Sequence, residues 1–267
     1  MSSKENSDDL TKLIAGATDA KFPYTGGHCA RVPKVAEMLV DAACKAEEGP
    51  FADFRMDTKD QRWEFEVAAW LHDGGKVTTP EYVVDKATKL ETIYNRIHEI
   101  RMRFEVLLRD AKIATYQKRL AGDVDEFLLE AQLAKEKKQI SDDFAFVAAC
   151  NIDGEFMVDE KIERLEQIAT RTWTRHLDAR IGISNDEAVL KNNTPAPTLP
   201  VIEQVLADKP GHIIPRTNSK PFDDNPHGFK MDIPENQYNL GELYNLGIRK
   251  GTLSPEDRFK INEHIII

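Results

Sequence analysis

The chain has 267 residues with 46 acidic against 36 basic side chains, and its formal net charge of −10 argues against a nucleic-acid polymer as its main partner. At 41 % hydrophobic and 31 % charged residues it is ordinary globular material, long enough for one substantial core or two modest ones. Cys29, Cys44 and Cys150 are scattered without a Cys-x-x-Cys spacing, and neither a signal-peptide pattern nor an apolar run of bilayer length occurs, so a cytoplasmic chain without a membrane segment is expected.

Residues 1–20 are polar and predict a frayed or loosely formed helix. Phe22, Pro23, Tyr24, Thr25, Gly26 and Gly27 read as a turn, and His28 opens the next element. Val32, Val35, Ala36, Leu39, Val40, Ala43 and Cys44 fall at helical spacing, which predicts an amphipathic helix over 28–47 that Gly49 and Pro50 terminate. A second helix over 61–73, with Phe65, Val67, Ala68, Ala69 and Leu71 on its apolar side, delivers His72 and Asp73 next to each other. Gly74 and Gly75 then break the helix, and Lys76 follows at once. Beyond Pro80, Tyr82, Val83 and Val84 read as a short extended piece.

Residues 91–138 contain no proline and only Gly122, with Ile93, Ile97, Ile100, Phe104, Leu107 and Leu108 set among dense charge. That texture predicts long solvent-exposed helices. With a further helix over 156–180, residues 91–190 read as an antiparallel helical hairpin or small bundle. The prolines between 191 and 240 (Pro195, Pro197, Pro200, Pro210, Pro215, Pro221, Pro226 and Pro234) predict a mostly irregular connection. A short helix over 241–246 precedes a last one, for which Ser254 is a good N-cap and Pro255 a good first residue. The expected class is all-α: a helical core from 20–90 and 241–267, an inserted charged hairpin over 91–190, and a Pro-rich connection over 191–240.

His28, His72 and Asp73 are the residues suited to chemistry. Imidazole nitrogen binds borderline metals, and carboxylate binds harder ions and can bridge two. Side chains of adjacent helix residues diverge, so His72 and Asp73 serve one metal only if another element completes the shell. His98 reads as a metal or phosphate contact or as a helix-face residue. Arg101 and Arg103 read as phosphate contacts or as part of a solvated face. His176, His212 and His227 read as structural or surface residues, and Asp223, Asp224 and Asp232 match no motif. There is no P-loop, no Gly-x-Ser-x-Gly elbow and no dinucleotide fingerprint. Cys29 reads as a small buried residue.

The order Thr25-Gly26-x-His28-x-x-Arg31-Val32, His72-Asp73-x-Gly75-Lys76-Val77 and Pro80 resembles the HD superfamily of metal-dependent phosphohydrolases. The pattern is most similar to the HD-GYP group, whose members typically hydrolyse cyclic di-GMP in bacterial signal transduction. The later run from Gly251 through Ser254, Pro255 and Asp257 to His264 resembles that group's helix leading to a third metal-binding histidine. The resemblance implies His28, His72, Asp73 and His264 as metal ligands, with His98 as the rival third histidine. It further implies one or two divalent ions such as Fe or Mn, Asp73 as the bridging carboxylate, and Lys76 as the contact to the scissile phosphate. The implied activity is hydrolysis of a cyclic dinucleotide or another phosphoester by metal-activated water.

Two departures accompany the resemblance. Tyr24 stands where trinuclear members have a glutamate, and the His-His-Glu, Gly-Tyr-Pro and final aspartate motifs are absent. The core and metal shell are therefore expected to be incomplete here, and turnover of cyclic di-GMP weak or absent. Two other readings stay open: a non-catalytic sensory or assembly module that homodimerises through the helical insert, and an HD hydrolase of nucleotide mono- or triphosphates.

Overall fold

The computed structural model describes residues 3–21, 27–122, 125–152, 156–216, 228 and 230–265. Among the described residues helix accounts for 61 % and strand for 8 %, so the class is mostly α. The chain divides into two compact units, Met1–Val84 with Phe259–Ile267, and Asp85–Arg258.

The first unit holds α1 (Ser3–Lys21), α2 (His28–Cys44), α3 (Lys59–Leu71) and the one-turn helix α4 (Glu81–Val84). The frayed or loosely formed helix expected for residues 1–20 is the helix α1, docked rather than loose: it packs on α2, on α3 and on the 3-10 turn Gly74–Thr78. Its buried face is Thr11, Ala15 and Thr18, while the large side chains of Leu10 and Leu13 lie outside. A helix that docks through small residues shows no stripe of large apolar ones, which is why periodicity underrates it. Thr58 and Gln61 start α3 with a reciprocal capping box, Gln61 N donating to Thr58 Oγ1 and Thr58 N to Gln61 Oε1, each at 3.1 Å. The extended piece expected at 82–84 is α4, started by Val83 N donating to Pro80 O at 3.0 Å; it buries Val83 completely.

In the second unit α5 (Ile97–Ala121) and α6 (Glu126–Asn151) pack as an antiparallel hairpin. Phe104 meets Phe144 at one end, with ring centroids 5.4 Å apart, and Arg119 pairs with Glu126 at the other. The core of this unit joins Ile97, Ile100, Phe104 and Leu107 of α5 to Ile140 and Val147 of α6 and to Leu165 and Ile168 of α7 (Asp159–Ala169). Burial on that scale, at about 1.5–3 kcal/mol per large apolar side chain, is the main driving force for the unit.

The helix expected over 156–180 stops at Ala169, and β1 (Thr172–Arg175) follows. Thr172, Trp173 and Thr174 are β-branched or aromatic and favour a strand once a partner exists. That partner comes from the region read as irregular: β2 (Val201–Gln204) pairs antiparallel with β1, Trp173 opposite Glu203. A second pair joins β3 (Ile213–Pro215) to β4 (Asn236–Asn239), with the register shifting where Pro215 lacks an N–H. The prolines bracket these short strands, and the all-α expectation is corrected to mostly α. α8 (Asn185–Asn192) lies between β1 and β2.

At the C-terminal end, α9 (Glu242–Leu246) and α10 (Pro255–Asn262) start where their sequences indicate. Asp257 N donates to Ser254 Oγ at 3.2 Å and Ser254 N to Asp257 Oδ2 at 3.0 Å, with Pro255 at the first helical position. Among the described residues no helix is long and apolar enough to cross a membrane.

Candidate metal centre

Three short elements of the first unit meet at one point. Gly27, at φ 70°, takes the left-handed conformation that lets the chain turn into α2 with His28 as its first residue. His72 is the C-cap of α3, and Asp73, at φ −110° and ψ 2°, has already left the helix. This break turns two adjacent side chains that would diverge on a continuous helix toward a common partner.

The imidazole Nε2 atoms of His28 and His72 lie 3.2 Å apart, and Asp73 Oδ2 is 3.5 Å from the first and 3.4 Å from the second. With bonds of about 2.0–2.2 Å, two donors on one ion stand about 3.3–3.6 Å apart in a tetrahedral shell and about 2.8–3.1 Å in an octahedral one. Two of the observed edges lie in the tetrahedral range and the third, at 3.2 Å, falls just below it, so the three donors fit a single divalent ion. No other group of three such side chains is close enough to do so among the described residues.

The surroundings prepare the donors. His72 Nδ1 sits 2.8 Å from Ala69 O, and a carbonyl only accepts, so the proton is on Nδ1 and the Nε2 lone pair faces the cluster. Lys76 Nζ lies 2.8 Å from Asp73 Oδ1, leaving Oδ2 to the imidazoles. Burial pushes the Asp73 carboxyl upward, but the Lys76 hydrogen bond and charge, with the two imidazoles, outweigh it and hold it below the usual aspartate value. Asp73 is therefore an anion at neutral pH. The side chains of His28 and His72 are 41 % and 30 % exposed against 10 % for Asp73, so the cluster is open to a ligand from solvent.

Two residues that sequence reasoning missed brace this geometry, both on the last turn of α1. Lys21 Nζ donates to Val77 O at 2.6 Å and Thr79 O at 3.0 Å, fastening the segment that carries Lys76. The Asp19 carboxylate takes a hydrogen bond from the Cys29 thiol, next to His28. Burial, then Asp19, pushes that thiol up to about 11, so it is held as a neutral thiol near neutral pH. The signal for both lay in the i, i+4, i+7 spacing of Thr11, Ala15 and Thr18, which marks a docked helix.

The 3-10 turn Glu263–Ile265, which carries His264, packs against Gly74–Thr78. His98 is exposed on α5 of the second unit, its Nδ1 2.6 Å from Arg101 Nη1. Arg101 also lies over the Phe144 ring at 5.5 Å. Arg103 is held by the buried Glu242 at 2.8 Å and by Val205 O at 3.0 Å, a structural role. His176 is exposed, while His212, whose Nδ1 accepts from Lys209 N at 3.3 Å, is held below the usual histidine value mainly by burial. Tyr24, Thr25, Gly26, Asp223, Asp224 and His227 lie outside the described residues, and Asp232 is exposed.

No protein-family model, no curated protein and no solved structure matches this chain.

Proposed function

We propose that the first unit is a metal-dependent phosphohydrolase centre of the HD type, hydrolysing a phosphoester of a small molecule, with a cyclic dinucleotide as the leading substrate. The observation that carries this reading is the convergence of His28 Nε2, His72 Nε2 and Asp73 Oδ2 within 3.2–3.5 Å, with an ammonium on the other oxygen of the same carboxylate. A divalent ion such as Fe or Mn held there supplies a water of lowered pKa and polarises a phosphoryl oxygen. His28, His72 and Asp73 would hold it, and His264 is the candidate further ligand because its turn adjoins Gly74–Thr78. Lys76 has two tasks. It keeps Asp73 ionised, and it offers a positive charge to a phosphoryl group as negative charge builds on it.

A second reading treats the cluster as purely structural. It is supported by the Asp73–Lys76 pair and the His28–His72 contact, which partly satisfy one another within the protein. Hydrolysis of bis(p-nitrophenyl) phosphate in the presence of Mn separates the two. The phosphohydrolase reading expects slow metal-dependent turnover that Asp73→Ala and Lys76→Ala each abolish. Equal rates in wild type and both variants would sink it.

A further inference from the structure

Helix α5 has two apolar sides. Ile97, Ile100, Phe104 and Leu107 face the core of the second unit. At 100° per residue, Met102, Val106, Ile113, Tyr116 and Leu120 fall on the opposite side, at the heptad spacing of a seam about 27 Å long whose one remaining position is the exposed Arg109. Val106 is half-buried, but Met102 is 62 % exposed, Ile113 52 %, Tyr116 53 % and Leu120 87 %. Scattered exposed apolar residues need no explanation, whereas a stripe that fills five of six seam positions, broken only by Arg109, does.

The charges beside the seam select the occupant. We propose that a second copy of this chain packs antiparallel on α5, with Met102 against the partner's Ile113 and Glu105 against the partner's Lys112. In a parallel pair, Glu105 would face the partner's Asp110, a like-charge contact. An antiparallel pair with its seams in full overlap would place Lys112 on the partner's Lys112 and Asp110 on the partner's Asp110. Sliding by one heptad removes both repulsions and forms the Glu105–Lys112 pair twice, once on each side of the two-fold axis. Both groups are available for this. Glu105 is bound only to Arg109 of its own helix, at 2.6 Å, with 44 % of its side chain exposed, and Lys112 has no ion pair among the described residues. The same register carries Leu120 to the region of the partner's Ile93 and Tyr94, which are 86 % and 49 % exposed. Both ends of the seam thus find apolar surface.

Sedimentation velocity on the full chain, from low to high micromolar concentration, tests this. The expected result is a monomer–dimer equilibrium that Ile113→Asp abolishes with helical circular dichroism unchanged, since Ile113 is at the surface. Glu105→Lys and Lys112→Glu should each weaken the dimer about tenfold, and the double variant should restore it. A wild type that stays monomeric, a dimer indifferent to Ile113→Asp, or a charge swap without rescue would each overturn the proposal.

Discussion

Replacing Lys76 by methionine separates holding a metal from using it. The Lys76 ammonium stands 2.8 Å from Asp73 Oδ1, with 28 % of the lysine side chain and 10 % of the aspartate side chain exposed. Unit charges at about 4 Å attract by ~1 kcal/mol in water and ~4 kcal/mol at an effective dielectric of 20. Partial exposure and side-chain entropy bring this pair to about 1–2 kcal/mol. Lys76→Met should therefore lower the stability of the first unit by that amount, a fall of a few degrees in its melting temperature. The same 1–2 kcal/mol no longer competes for the Asp73 charge, so Mn affinity should rise about tenfold. On the proposed function, phosphodiester hydrolysis should fall with the loss of the Lys76 charge. Isothermal titration with Mn, thermal melting and the hydrolysis assay on one preparation check all three. A folded Lys76→Met protein that binds Mn more weakly than wild type would refute the reasoning, since the lysine would then be building the metal site rather than competing with it.

Three further outcomes follow from the described contacts. The Asp73 carboxyl is held below its ordinary value of 3.8, so its contribution to stability is fully present above that pH and is lost as pH falls through the lower folded-state value. Asp73→Asn should flatten the acid limb of a stability-versus-pH curve for the first unit. Among the thiols, Cys29 and Cys150 are buried and raised by burial, whereas Cys44 is half-exposed, so limited alkylation at pH 8 should label Cys44 first by peptide mass mapping. A Cβ at Gly241 would come within 2.5 Å of Asp208 Oδ1, the acceptor for Leu243 N at 2.9 Å at the start of α9. Gly241→Ala should cost about 1–2 kcal/mol in urea unfolding of the second unit by displacing that cap.

The legible parts of the chain were those whose signals are local. The apolar periodicity of α2, the Gly74-Gly75 break after His72-Asp73, and the Ser254-Pro255 start of α10 all appear in the structure where the residues indicate. The misread parts depend on partners distant in sequence. α1 docks through threonine and alanine, so a hydrophobic count passes over it. β1 and β2 are four residues each and gain stability only by pairing across the intervening α8, which neither segment announces by itself. His28 and His72 stand out in the sequence as candidate ligands, but Lys21 and Asp19, which brace their surroundings, sit on α1, where no stripe of large apolar residues marks a docked helix.

The central claim is that His28, His72 and Asp73 jointly hold one divalent ion. Mn titration followed by electron paramagnetic resonance tests it on the full chain and on His28→Ala, His72→Ala and Asp73→Ala. The account predicts one saturable site in the wild type that each substitution weakens at least tenfold with the helical content retained. A folded wild type without that site, or variants that bind Mn as the wild type does, would contradict it.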